Sequence, residues 1–178
     1  MGEAVMEGAL RGRSNRLSAV ERWALAGVLG CAGAGTGVAG YLVTLHQRIA
    51  GSPNRGLCTF TDTISCDKVL ASSYAAIGPI PVALIGLSGF ILLFGMALWR
   101  LAGGLRTPRR LPAALALVAG FGLLFEVVMT WIEFFVIRAV CPYCLIALAC
   151  IAGTSMAAIV AWRAALWTDV RKGFSSQR

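Results

Sequence analysis

Four stretches of this chain lack the recurring polar positions that a water-facing helix or strand would show. They are residues 23–45, 81–99, 112–136 and 142–162. Each is close to or above the roughly 20 apolar residues needed to cross a bilayer. Residues 86–99 and 145–160 have almost no polar residue at helical period, so a soluble bundle with buried helices does not fit them. At about 1.5 Å per residue the first stretch covers ~34 Å, enough to cross with some tilt. It is also too long for the apolar part of a signal peptide, and is read as a mature helix. The pattern predicts an all-α integral membrane protein, a bundle of four transmembrane helices in one domain over residues 23–165. Residues 1–22 and 166–178 are read as cytoplasmic tails.

Composition agrees with that class. Hydrophobic residues make up 58% of the chain and charged residues 13%, with a mean hydropathy of +0.77. A soluble domain carries about a quarter charged residues. The net charge of +8 raises the question of nucleic acid. Placement answers it. Arg11, Arg13, Arg16 and Arg22 precede span one, and Arg100, Arg106, Arg109 and Arg110 separate spans two and three. Arg163, Arg171, Lys172 and Arg178 follow the main apolar part of span four. Only Arg48, Arg55, Lys68 and Arg138 fall on the other side. The positive-inside rule puts both termini and the middle loop in the cytoplasm. No aromatic residues interleave these arginines as a base-stacking surface requires, which excludes nucleic acid as the partner.

Residues 46–80 and the turn at 136–141 then face outwards, and they hold most of the candidate chemistry. Cys58 and Cys66 lie in the long outer loop, and Cys141 and Cys144 flank the start of span four. Thiols on an oxidising face form and exchange disulfides. Cys141-Pro142-Tyr143-Cys144 is a CxxC motif at a helix mouth. Proline suits the first helical turn, and the unpaired N–H groups and macrodipole there favour a thiolate. Zinc is the competing chemistry, since four cysteines can build a tetrahedral site. The seven residues between Cys58 and Cys66 exceed the usual zinc-knuckle spacing, and the single histidine, His46, is at the end of span one. A static pair of disulfides is the third reading, although it has no need of a helix N-terminus. Cys31 and Cys150 fall inside spans one and four and are read as packing residues.

These residues resemble vitamin K epoxide reductase and its bacterial homologues. The resemblance rests on Cys58 and Cys66, the run Cys66-Asp67-Lys68-Val69-Leu70-Ala71-Ser72-Ser73, Gly78-Pro79-Ile80-Pro81 before span two, and Cys141-Pro142-Tyr143-Cys144. It covers about residues 20–165. It implies a four-helix bundle that holds a quinone (ubiquinone or menaquinone) at its outer end, with a short capping half-helix at about 67–74. The arginine-, alanine- and glycine-rich composition fits a bacterial inner membrane with the active site on the periplasmic side, and an endoplasmic-reticulum membrane, which has the same oxidising geometry, is the alternative. Many bacterial relatives carry a fused thioredoxin-like domain, so a separate thioredoxin-like protein is the expected electron donor here. The other bacterial quinone-linked disulfide generator has its CxxC first and its spaced pair second, the reverse of this order.

Carried onto these positions, the family scheme sets Cys144 beside the quinone and makes Cys141 the relay. A Cys66–Cys141 mixed disulfide joins the two pairs, and Cys58 accepts attack from the reduced partner. Ser72, six residues after Cys66, matches the family's functional serine and is expected near the quinone, with Ser73 as the alternative. Animal members have a tyrosine four residues after the second CxxC cysteine. Here that residue is Leu148, which speaks against epoxide reduction. The alternative function, from the exposed thiols alone, is an outer-face metal-binding or transport protein.

Two acids lie in span three. Glu126 and Glu133 are seven residues apart and hence on one face, and an intramembrane acid is expensive enough to suggest function. Glu133 is read as a proton relay in contact with the quinone, or else as a carboxylate snorkelling to the interface. For Glu126 the preferred expectation is structural. Gly27, Gly30, Gly33, Gly37 and Gly40 in span one predict close helix contact.

Overall fold

The computed structural model describes residues 17–51 and 63–175. Helix α1 runs over Ala19–Gly51, and the short α2 over Cys66–Leu70. A two-stranded hairpin follows, β1 (Ala76–Ile77) and β2 (Ile80–Pro81), leading into α3 (Val82–Gly103). Helix α4 spans Leu111–Ile132 and continues as a π-helical turn, Glu133–Ile137. The last helix, α5, covers Pro142–Ser175. The four long helices are those predicted from the hydrophobic pattern, each long and apolar enough to cross a membrane. The all-α, four-span architecture stands.

The helix limits show what hydrophobicity misses. Helix α1 starts at Ala19, ahead of the apolar run, because Ser18 caps it. The Glu21 N–H donates to Ser18 Oγ at 3.1 Å, satisfying one of the donors that a helix start leaves open. The capping half-helix is shorter than expected and starts at Cys66 itself. Its N-cap is Ser65, whose Oγ accepts from the Lys68 N–H at 3.3 Å. The Gly78-Pro79 turn needs its glycine, which has φ +62°, a left-handed value costly for residues with a Cβ.

Helix α1 is the hub. It packs along α5 and α3, and α4 packs along α5, whereas α3 and α4 make the sparsest contact of the neighbouring pairs. The core between them is built from Leu25, Val28, Leu93 and Leu115 with fully buried alanines Ala32, Ala97, Ala119, Ala158 and Ala161. Small residues let helix backbones approach where no water drives them together. Outward faces carry large apolar side chains such as Leu117, Phe121 and Met156, suited to lipid. Exposed Trp23, Trp99, Trp162 and Trp167 ring one end and Trp131 the other, the aromatic belts of a bilayer protein.

The glycine expectation needs correcting in detail. Gly30, Gly37 and Gly40 face open space, and Gly27 and Gly33 are in ordinary contact with their neighbours. The tight position is Gly35, where an added Cβ would collide with the Phe90 ring.

At the arginine-rich end a buried ion pair joins α1 to the α3–α4 connection. Arg100 donates from Nε to Glu21 Oε1 at 2.9 Å and from Nη2 to the same oxygen at 2.8 Å. Its Nη1 donates to Thr107 Oγ1 at 2.6 Å and to the Gly104 carbonyl at 3.0 Å. Glu21 and Arg100 are 0% and 4% exposed. Arg100 is an orientation charge by its position and Glu21 belongs to the N-terminal tail by the hydrophobic pattern; packing joins the two into a clasp.

Candidate active site

The turn before α5 positions the CxxC. After the π-helical turn the chain reverses at Arg138, which has φ +55°, and the Ala139 N–H donates to the Glu133 carbonyl at 3.2 Å. Residues 63–65 then run parallel to this turn. The Val140 N–H donates to the Thr63 carbonyl at 2.8 Å, and the Ser65 N–H to the Val140 carbonyl at 3.2 Å. This single bridge sets the register between loop and helix mouth. One residue further along each strand stand Cys66 and Cys141, both fully buried, with Sγ atoms 2.8 Å apart. That is longer than a closed disulfide of ~2.05 Å, yet close enough that a small shift would join them.

Cys141 lies at the convergence of several groups. Its N–H donates to Glu133 Oε2 at 3.1 Å, and its sulfur is faced by the Cys144 and Cys66 thiols. The Cys144 thiol, then the Cys66 thiol, hold Cys141 well below the usual thiol range, helped by the backbone N–H groups of Cys144 and Tyr143; burial opposes them. The Cys144 thiol also meets the Glu133 carboxylate. Cys66, Cys141, Cys144 and Glu133 thus form a continuous chain. Tyr143 of the motif packs on Tyr41 of α1, with ring centroids 4.9 Å apart, which fixes the start of α5 against the bundle.

Inward from Cys144 lies an apolar pocket closed by α2 and walled by α1, α3, α4 and α5. Leu42, Val69, Leu70, Phe90, Phe125 and Met129 supply most of its surface. Its polar groups are few: Ser72, Tyr74, Glu126, Glu133 and Cys144. An apolar cleft with a handful of converging polar groups is the usual form of a small-molecule site.

The sequence model of the Vitamin K epoxide reductase family matches residues 26–161. The chain belongs to that family. It is therefore a multi-pass membrane protein with the thiol–disulfide oxidoreductase chemistry of the family. The match takes in most of each long helix and all four candidate cysteines, three of which lie in the described residues.

The remaining site residues fall as follows. Ser72 lines the pocket, and its hydroxyl donates to the Val69 carbonyl at 2.7 Å. Ser73 is exposed and outside the lining. Leu148 packs into the core between the helices. Cys58 lies outside the described residues, as does the glycine- and proline-containing part of its loop. Cys31 sits against Gly153, where a Cβ would come within 3.0 Å of its sulfur. It lines a groove between α1 and α5 with Cys150, apart from the pocket. Glu126, for which a structural role was the preferred expectation, lines the same pocket as Cys144. Its seven-residue offset from Glu133 was the signal that both acids share one face.

Proposed function

We propose that this protein oxidises a thioredoxin-like, disulfide-forming partner and passes the electron pair to a membrane quinone. The observation that carries this reading is the sulfur pair Cys66–Cys141, 2.8 Å apart, beside an apolar pocket whose rim holds Cys144. A buried sulfur contact between the two motifs suits exchange, which proceeds through a mixed disulfide. A static structural bridge would need neither the second thiol of the CxxC nor the pocket.

In this scheme a reduced partner thiolate attacks a Cys58–Cys66 disulfide at Cys58. Cys66 leaves, and the partner's second thiol breaks the partner–Cys58 bond, which releases the partner as a disulfide and Cys58 as a thiol. Cys66 then attacks Cys141 of an oxidised CxxC, releasing Cys144. Resolution of the Cys66–Cys141 bond restores the Cys58–Cys66 disulfide and leaves the CxxC as a dithiol. Each exchange breaks one S–S bond and makes another. The acceptor, a quinone, takes up two electrons and two protons as Cys141 and Cys144 close their disulfide again. Cys144, Ser72 and Glu133 line its site, with Glu133 relaying protons at the mouth. The net change is two partner thiols to one disulfide and one quinone to one quinol.

The arginine distribution supports an orientation with both termini in the cytoplasm and the cysteine end in the periplasm of a bacterial inner membrane. That face is where thiol oxidation persists. The partner is proposed to be a separate protein.

The test uses purified protein, a reduced thioredoxin-like protein and a short-tailed benzoquinone. Cys144→Ala is expected to abolish quinone reduction and to accumulate a Cys66–Cys141 link detectable by mass spectrometry of unreduced peptides. Quinone reduction at the normal rate by Cys144→Ala would overturn the assignment.

A further inference from the structure

A quinone carbonyl oxygen is a hydrogen-bond acceptor and needs a donor, and most polar groups of the pocket are committed elsewhere. The Ser72 hydroxyl gives its proton to the Val69 carbonyl, leaving only lone pairs for the cavity. Glu133 is engaged by the Cys141 N–H and the Cys144 thiol. Leu148, at the position of the animal tyrosine, has no polar atom. Two groups remain: the Tyr74 phenol, about half exposed at the mouth, and the Glu126 carboxyl.

Glu126 has the stronger position. It makes no hydrogen bond to any described residue, and no basic side chain lines its surroundings. It also stands in the wall shared by two cavities. One is the pocket at Cys144. The other is an apolar cleft between α3 and α4, the most sparsely packed of the neighbouring helix pairs, formed around Gly86, Gly89, Phe121 and Phe125. An acid without a cationic partner in an apolar wall is costly, and such residues mark functional sites in membranes. We infer that the Glu126 carboxyl is the hydrogen-bond donor and proton source for one quinone oxygen, in place of the tyrosine this chain lacks. This rests on the quinone reading above.

The protons balance within the site. Counted from the dithiol, closing the Cys141–Cys144 disulfide yields two electrons and two protons, the Cys141 proton leaving first as that thiol ionises and the Cys144 proton as the bond closes. In its protonated form Glu126 gives one proton to the quinone oxygen. It is reprotonated by one of those released at the thiols, for which Glu133 is the adjoining carrier. The second thiol proton goes to the other oxygen, and the carboxyl ends as it began.

The experiment compares Glu126→Gln, Glu126→Leu and Tyr74→Phe in the full-length protein with a decyl-tailed benzoquinone. Binding is read by quenching of protein fluorescence, without turnover, and chemistry by single-turnover oxidation of the prereduced protein. The glutamine amide still donates a hydrogen bond, so binding should stay within about twofold. The single-turnover rate should fall roughly 100-fold or more, the usual share of a general acid. Leucine should also weaken binding by about 3- to 10-fold. Glutamine is nearly isosteric, so that variant carries the test even if leucine impairs folding. Wild-type rates in Glu126→Gln would overturn the inference, as would Tyr74→Phe reproducing both losses while the Glu126 variants do not. If wild-type protein neither binds nor reduces the quinone, the reading beneath the inference fails instead.

Discussion

Cys141 precedes a helix whose first backbone N–H groups have no intrahelical acceptor, and two of them point at its sulfur. The Cys144 and Cys66 thiols add side-chain donors. All of these stabilise the thiolate, and burial works against them. The sign is therefore towards ionisation at lower pH than the ordinary thiol value of ~8.5. Thiolate ultraviolet absorbance lost in Cys141→Ser protein should titrate well below that value. In Cys144→Ala the same signal should move upwards, because the leading donor is gone; an unchanged midpoint would refute that cause. The cysteines themselves were legible in the sequence, as was the Ser72 offset. That the Ser72 proton is spent on Val69, while Glu126 has none of its bonding capacity used, depends on contacts between residues that spacing along the chain does not reveal.

At the scale of elements, two junctions matter. The first is the bridge between residues 63–65 and Val140, with Ser65 both paired to it and capping α2. It converts a loop cysteine and a helix-mouth cysteine, 75 residues apart, into neighbours. The second is the Glu21–Arg100 clasp at the opposite end. Removing one partner of a buried pair leaves an uncompensated charge, at a cost of about 3–5 kcal/mol. Glu21→Ala should therefore lower thermal stability in detergent sharply, whereas Glu21→Leu with Arg100→Met should recover most of it. If the single change is silent, the clasp contributes nothing to the fold. Part of this was readable: Ser18 and Glu21 have the spacing of a helix N-terminal cap. The Glu21 side chain instead turns to Arg100, a choice made by packing.

Across the whole molecule, the four helices bring every candidate group of the described residues to one end and leave the clasp at the other. The proposed orientation of that assembly rests on the charge asymmetry. A reporter enzyme active only outside the cytoplasm should work when fused within residues 52–57 and fail when fused after Arg178. The reverse pattern would invert the orientation and remove the thiols from the oxidising face. Hydrophobic length, arginine placement and the two cysteine motifs are local properties, so the sequence alone determined the membrane class and the four spans and singled out the cysteines as candidates. The tertiary structure decided which sulfurs meet, which glycine is tight and which acid faces the pocket. Those depend on the rotation of each helix about its axis and on one loop register. Both are set by packing between segments distant in the chain, where a single residue of slip would turn Cys66 away from Cys141.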